Sequence, residues 1–545
     1  MFVACKRNLL KVCKLAMVLA FGVFAATPAI AQFTYVDRYD FSFNSGSIPF
    51  DIAQLAQGTD GNLYGTTEQG GAHNFGTIFS LTPTGVYTDL WDFDGVTGEN
   101  TLGGLTLASD GNFYGVATGG GTFNYGTVFR FTPPNSVTVL HHFTGSTDGW
   151  NPYAPPVQGS DGNLYGVTSS GTVYTITLPS GTFTALSQGT PTGVYAPLYL
   201  ASDGNLYGTS ADGGDFGLGT VFRVKTPSGA IKVMSSFFGP PDGQNPYAPV
   251  VQFSDGFLYG TTSQVTNGGG TIYRISLAGK MSTEYEFSAV VNNTNTDGAS
   301  PYAGLLYASD GYMYGVTSAG GSNGGGTIYQ FKPGTSPTKL FDFSAPPLLA
   351  NYATNLMQHT NGSFFGVAST LGSGNGTFYN LTQPNLLQIL QIAGPIFVLP
   401  GGPVQILGNG LTRVVSLNFA IVPAVFRAIS DTQLTATVPM SALDGVIGGS
   451  YDTGLPIATV SSVHILPLIQ TLDPLSGPAG TLVTITGGGF TGATKVKFNG
   501  VAATEYTVVS ATMIQATVPS GATKGKVTVK TPNGKATSTQ KFVVK

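Results

Sequence analysis

Seven linked copies of two short phrases predict an all-β fold whose larger part is a seven-bladed β-propeller. The first phrase is "SDGNLYG" at Ser160–Gly166 and its variants, whose Asp-Gly (once Asn-Gly) pairs begin at Asp60, Asp110, Asp161, Asp203, Asp255, Asp310 and Asn361. The steps between them are 50, 51, 42, 52, 55 and 51 residues. The second phrase, "GTIF", "GTVF", "GTVY", "GTIY" or "GTFY", follows each one, at Gly76, Gly126, Gly171, Gly219, Gly270, Gly326 and Gly376. Units of about this length that hold several short strands are the signature of propeller blades.

Each unit reads as four strands. In the second they are "GLTLAS", "NFYGVA", "GTVFRFT" and "SVTVLHHF". Asp-Gly between alternating apolar runs marks a tight hairpin, because this pair tolerates the positive φ angles of such a turn. The third and fourth strands are joined by "TPTG", "LPSG" or "TPSG", again turn chemistry. The recurring tyrosine of the first phrase (Tyr64, Tyr114, Tyr165, Tyr207, Tyr259, Tyr314) is expected to pack between blades. After "GTFYNLT" in the seventh unit no fourth strand follows, whereas "TYVDRYDF" near the chain start looks like the fourth strands "TDLWDF" and "TKLFDF". The segment Phe33–Phe41 is therefore expected to supply the outer strand of the last blade, closing the ring and covering an exposed edge.

Residues 1–31 read as a secretory signal and not as part of the fold. Lys6, Arg7, Lys11 and Lys14 precede the apolar run Leu15–Ala26, and Ala29-Ile30-Ala31 is a small-x-small cleavage site. The protein is expected to be secreted or held at the cell surface, with the periplasm as a further location. The apolar run is short for a membrane span, and no later stretch does better. Both cysteines, Cys5 and Cys13, leave with the signal, so burial and strand pairing must stabilise the mature chain. Its formal charge moves from −4 to −8, which argues against nucleic acid as a partner.

The "DGNLYG…GG…GTVF" phrasing resembles the tandem repeat of the GloVer "choice-of-anchor" proteins, which are bacterial surface or secreted proteins. The resemblance covers residues 32–383 and implies location and repeat architecture, not an activity. The third copy departs from it, with Ser169-Ser170 where others carry a glycine-rich loop. Composition shifts after Pro384. The segment 467–545 shows alternating strands broken by Gly, Pro and Asn turns and resembles an IPT/TIG domain, an immunoglobulin-like β-sandwich. Residues 384–466 follow the same pattern and read as a degenerate copy. The full expectation is a propeller followed by two immunoglobulin-like (IPT/TIG) β-sandwich domains, the latter acting as spacers or adhesion modules.

No catalytic motif emerges. The one G-x-S-x-G match, Gly320 to Gly324, lies in a glycine-rich loop and opens no helix, as a nucleophile elbow must. His141 and His142 lie on a predicted outer strand, one facing solvent and the other packing, and His73, His359 and His464 are distant in sequence. Asn293 to Gly298 resembles half a calcium loop, but Gly304 stands where a bidentate Glu is needed, so a surface loop is expected. No cofactor and no metal site is expected.

One constellation remains. "DGWNPYAP" (Asp148 to Pro155), "VYAP", "DGQNPYAP" and "DGASPYAG" lead into innermost strands on the face opposite the Asp-Gly turns. Tyr153, Tyr195, Tyr247 and Tyr302 each lie eight residues before their Asp-Gly, which puts them at equal height around the channel mouth. With Trp150 they form a candidate ligand platform, the alternative being that they merely pack adjacent blades. The resulting reading is a noncatalytic binding or surface-interaction protein whose partner is a polysaccharide or a surface protein. Its rival is an extracellular polysaccharide lyase or hydrolase with its site at the channel mouth.

Overall fold

The computed structural model describes residues 33–42, 54–189, 191–264, 268–344, 355–369, 375–382 and 388–545. The proposed signal, 1–31, lies outside these residues. They contain no α-helix, and no helix among them is long and apolar enough to cross a membrane. Seven sheets of four strands each follow the seven repeats and are numbered here as blades 1–7. From the axis outward, blade 2 is Thr106–Leu107, Phe113–Ala117, Thr127–Thr132 and Ser136–His142.

The pairing of the second and third strands explains why the two phrases travel together. The glycine of "LYG" stands directly across from the aromatic residue of "GTVF" in every blade: Gly65 from Phe79, Gly115 from Phe129, Gly166 from Tyr174, Gly208 from Phe222, Gly260 from Tyr273, Gly315 from Tyr329 and Gly366 from Tyr379. The ring covers the bare glycine so closely that a Cβ on Gly260 would lie 2.4 Å from the Tyr273 hydroxyl. One motif is the seat and the other the ring that fills it.

The Asp of the first phrase is bound to the Tyr four residues on. The hydroxyls of Tyr64, Tyr114, Tyr165, Tyr207 and Tyr259 donate to the carboxylates of Asp60, Asp110, Asp161, Asp203 and Asp255 at 2.7–2.9 Å, and Tyr314 does the same to Asp310. Blade 7 replaces both members at once, with Asn361 for the Asp and Phe365 for the Tyr. The tyrosine rings are buried, as expected, in the apolar clusters between neighbouring blades. There are seven such clusters, and the seventh joins Phe365 and Phe378 of blade 7 to Leu63 and Phe79 of blade 1.

These tyrosines set a prediction for alkaline pH. Burial first, and the Asp partner second, push all six hydroxyls well above their ordinary value of 10.0. A group raised in the folded state contributes stability that is complete below its unfolded pKa and is lost as pH rises through the folded value. The contribution of these tyrosines to stability should therefore be constant up to about pH 10 and fall steeply above it. Tyrosinate absorbance should lag behind that of free tyrosine and then rise together with unfolding. A smooth titration near pH 10 with the fold intact would contradict this.

The ring closes as the chain start implied. Thr34–Asp40 pairs antiparallel with Thr377–Thr382, more than 300 residues away. Arg38 Nε donates to Asn380 Oδ1 at 2.8 Å, and the Thr377 hydroxyl donates to Asp40 at 2.7 Å. Tyr35 stacks on Phe341 of blade 6 and Tyr39 on Tyr87 of blade 1, so this strand grips both neighbours. Phe41 is fully buried.

Beyond the ring, eight strands of residues 388–466 form one sheet folded over a core that includes Leu390, Ile406, Leu417, Leu434 and Ile447. Ile389–Ala393 joins its halves, pairing antiparallel with Pro403–Leu407 and parallel with Pro456–Thr459. Residues 467–545 form a sandwich of a four-stranded and a five-stranded sheet around Val483, Ile485, Phe490, Phe498, Ile514, Val527 and Phe542.

The module at 388–466 sits against the Asp-Gly face of the ring. Thr432 Oγ1 donates to the Thr59 carbonyl at 2.7 Å, Thr360 Oγ1 to Gly408 at 3.2 Å and Gln391 Nε2 to Gln358 at 2.6 Å. Gly394, Pro395, Ile396 and Ser461 join innermost-strand residues around a cavity of about 390 Å³ on the channel axis. One end of the channel is thus occupied by the module.

Candidate functional site

The opposite end of the channel carries the tyrosines, and a local device holds them. Two residues before each Tyr the backbone takes a left-handed conformation: Asn151 (φ 48), Gly193 (φ 72), Asn245 (φ 56) and Ser300 (φ 54). Asn and Gly adopt this region readily; Ser300 is the less usual occupant. The same residue links two blades through its backbone. Asn151 donates its N–H to the Tyr125 carbonyl at 3.0 Å and accepts from the Ser169 N–H at 3.1 Å, and Asn245 repeats this with Leu218 and Ser263. The next residue is Pro152, Pro246 or Pro301 in three of the four copies, and its ring lies against the "GTVF" glycine of the preceding blade (Gly126, Gly219, Gly270).

The four rings form one continuous arc. Tyr153 and Tyr195 lie 4.8 Å apart between centroids, Tyr195 and Tyr247 5.5 Å, and Tyr247 and Tyr302 5.2 Å, at interplanar angles of 64°, 46° and 39°. All four are half-buried, so each packs on its neighbour and still presents part of its ring. Burial first, then the Asp212 carboxylate, raises the pKa of Tyr195 and Tyr247, which keeps their hydroxyls neutral at ordinary pH. Blade 2 carries the buried Leu102 at the equivalent offset, and the equivalents in blades 1 and 7 (Ile52 and Ala353) lie outside the described residues.

Trp150, three residues before Tyr153, has 43% of its surface exposed, and its carbonyl accepts a hydrogen bond from Ser169 Oγ. Sequence reasoning missed further aromatics in the loops: Phe123 (53% exposed), Tyr125 (43%) and Phe216 (62%). All three lie between the second and third strands of their blades. Bulky aromatics in segments rich in Gly, Asn and Asp were the available signal.

The other candidates resolve into structure. His141 stacks on Phe183 of blade 3 at 3.5 Å and 3°, and its Nε2 lies 2.9 Å from Asp148. Burial, outweighing Asp148, holds the imidazole below its ordinary range. His142 is also half-buried and accepts the Thr122 N–H, so neither histidine is the solvent-facing one expected. The strand pattern shifts by one residue at a bulge between Val128 and Phe129, which relaxes the strict alternation. In the loop at Asn293 to Gly298, Asp297 accepts from Tyr285, Ser288 N–H and Ser288 Oγ, and Asn295 ties Gly298 to Gly321. Gly320 to Gly324 leads into the strand Gly324–Phe331 and not into a helix.

Comparison with known families agrees with the repeat reading. The model of the Gloeobacter/Verrucomicrobia repeat matches residues 22–172, 129–292 and 195–391, together more than half of the chain. The chain belongs to this repeat family. The Gloeobacter/Verrucomicrobia repeat part is followed by a match to the IPT/TIG domain at residues 467–544. The search of curated proteins found no match. Among solved structures the repeat protein is similar to a streptogramin B lyase (14% identity, 64% of this chain and 98% of that one, TM-score 0.46). It is also similar to virginiamycin B lyase from Staphylococcus aureus (15%, 64% and 99%, 0.45). A third is oligogalacturonate lyase from Vibrio parahaemolyticus (12%, 65% and 97%, 0.43). Likeness at these values says nothing of the activity of this chain.

Proposed function

We propose that this is an exported, noncatalytic binding protein that recognises a polysaccharide at the surface opposite its C-terminal modules. The observation that carries this reading is the tyrosine arc: four half-buried rings from four consecutive blades, in mutual contact at one end of the channel. Amphipathic rings in fixed positions suit sugar rings, stacking on their apolar faces while the neutral hydroxyls serve the sugar hydroxyls. Trp150 extends the platform outward. The two C-terminal modules hold the propeller away from its attachment and act as spacers.

A glycan array probed with the purified protein is the first test. On the glycan that binds best, Tyr153→Ala or Tyr247→Ala alone should weaken binding modestly, since one aromatic contact contributes roughly 0.5–1.5 kcal/mol beyond its buried area. The double variant should lose most of the affinity and keep its melting temperature within a few degrees. An array without signal, unchanged binding, or a double variant that simply unfolds returns the arc to a packing role.

A further inference from the structure

The charge of this chain is unevenly divided. Residues 467–545 hold eight lysines against two acids, Asp473 and Glu505, a formal charge of +6, while residues 32–466 carry −14. Strand register gathers six of those lysines on one face. Lys495 pairs across strands with Lys530, Lys530 with Lys535, and Lys526 with Lys541, while Lys497 faces Thr528. The alternate residues Val496, Phe498, Val527, Val529, Ala536 and Phe542 point into the core, so the lysines share the outer face of the five-stranded sheet.

Like charges directly opposite one another destabilise a sheet, and nothing nearby offsets them here. None of the ion pairs among the described residues involves these lysines, and Asp473 and Glu505 belong to the other sheet of the sandwich. We infer that this face is a second binding surface, distinct from the tyrosine arc, and that its partner is an acidic polysaccharide. The cations stand in rows at the strand spacing of about 4.8 Å, which presents a linear polyanion with successive charges along its length. Lysine ammonium groups bind anions as hydrated point charges, without the bidentate fork of arginine. Between the lysines the outward residues of the central strands are Thr528, Thr537, Thr539 and Gln540, all polar. The face between the lysines therefore lacks the outward rings that stack nucleic-acid bases and the apolar side chains that enter a bilayer.

The test compares the mature protein with the triple variant Lys495→Gln, Lys530→Gln, Lys535→Gln. Polygalacturonate is the probe, dextran the neutral control, and duplex DNA and phosphatidylglycerol vesicles the rival polyanions. The unmodified protein should bind polygalacturonate at low salt, leave dextran unbound at this face, and weaken steeply between 50 and 200 mM salt. The variant should lose at least tenfold in affinity while its melting temperature stays level or rises, since the cross-strand repulsion is relieved. Equal binding by the variant, or no binding of polygalacturonate by either protein, overturns the site. Tighter lysine-dependent binding to DNA or to vesicles overturns the partner class. Dextran binding lost with Tyr153→Ala and Tyr247→Ala but kept in the lysine variant belongs to the tyrosine arc and leaves the two surfaces separately testable.

Discussion

A chain lacking Phe33 to Ser42 should lose the cooperative unfolding of the whole propeller, and not merely fray at blade 7. The deletion removes a ladder of six register pairs with Thr377–Thr382 and the buried Phe41. Truncating one buried Phe typically costs about 3–5 kcal/mol, already a large part of the 5–15 kcal/mol that holds a typical domain folded. Tyr35 and Tyr39 would go too, and with them the stacks on Phe341 and Tyr87 that couple blade 7 to both neighbours. Calorimetry should show the propeller transition broadened or lost, while residues 467–545, with a core of their own, keep theirs. A propeller transition of unchanged sharpness and midpoint would mean that the ring does not depend on this strand.

The second large effect is at Gly326. This glycine opens the second phrase of blade 6 with φ 90, and a Cβ there would lie 2.0 Å from the backbone oxygen of Thr317. Backbone cannot swing aside as a side chain can, so Gly326→Ala must combine left-handed strain with a displaced strand. Gly311 in the same blade, in the Asp-Gly turn, has φ 81 and nothing within 4 Å of the added atom. Gly311→Ala should therefore show the strain alone, about 1–2 kcal/mol, and Gly326→Ala at least twice that. Equal losses in the two variants would show that the close approach to Thr317 has no energetic weight.

The parts of this fold that repeat were readable before any coordinates. Asp-Gly turns, alternating strands and the resemblance of Phe33–Phe41 to other fourth strands are local signals copied many times, and each copy checks the others. The equal offset of Tyr153, Tyr195, Tyr247 and Tyr302 placed them together for the same reason. Their mutual packing was not readable, because it depends on how far each blade rotates from the last. Contacts between unlike segments left no periodic trace, so the seat of Thr432 on Thr59 and of Gly394 at the channel axis emerged from the coordinates alone. The exposed loop aromatics fall between these cases: Phe123 and Phe216 share one offset, three residues before Gly126 and Gly219, but only two of the seven blades carry a Phe there.

The innermost strands carry a further pattern with its own arithmetic. Gln57, Gln158, Gln252 and Gln358 in blades 1, 3, 5 and 7 each accept a hydrogen bond from the N–H of the residue before the Asp-Gly or Asn-Gly of the preceding blade: Thr360, Ser109, Ser202 and Ser309. Blades 2, 4 and 6 carry Leu107, Leu200 and Tyr307 instead. An alternation of two cannot close on a circle of seven without a fault, and here the fault falls between the last blade and the first. Blade 7 there both clasps and is clasped. The N-terminal strand completes the same blade, and the C-terminal module accepts a hydrogen bond from Thr360 and donates one to Thr59 on the two sides of that junction. An eight-membered ring of this pattern would alternate without interruption and offer no such landmark. Odd parity breaks the rotational symmetry of the repeats and marks one joint as unlike the rest, and the unlike joint is where the chain enters the ring and leaves it.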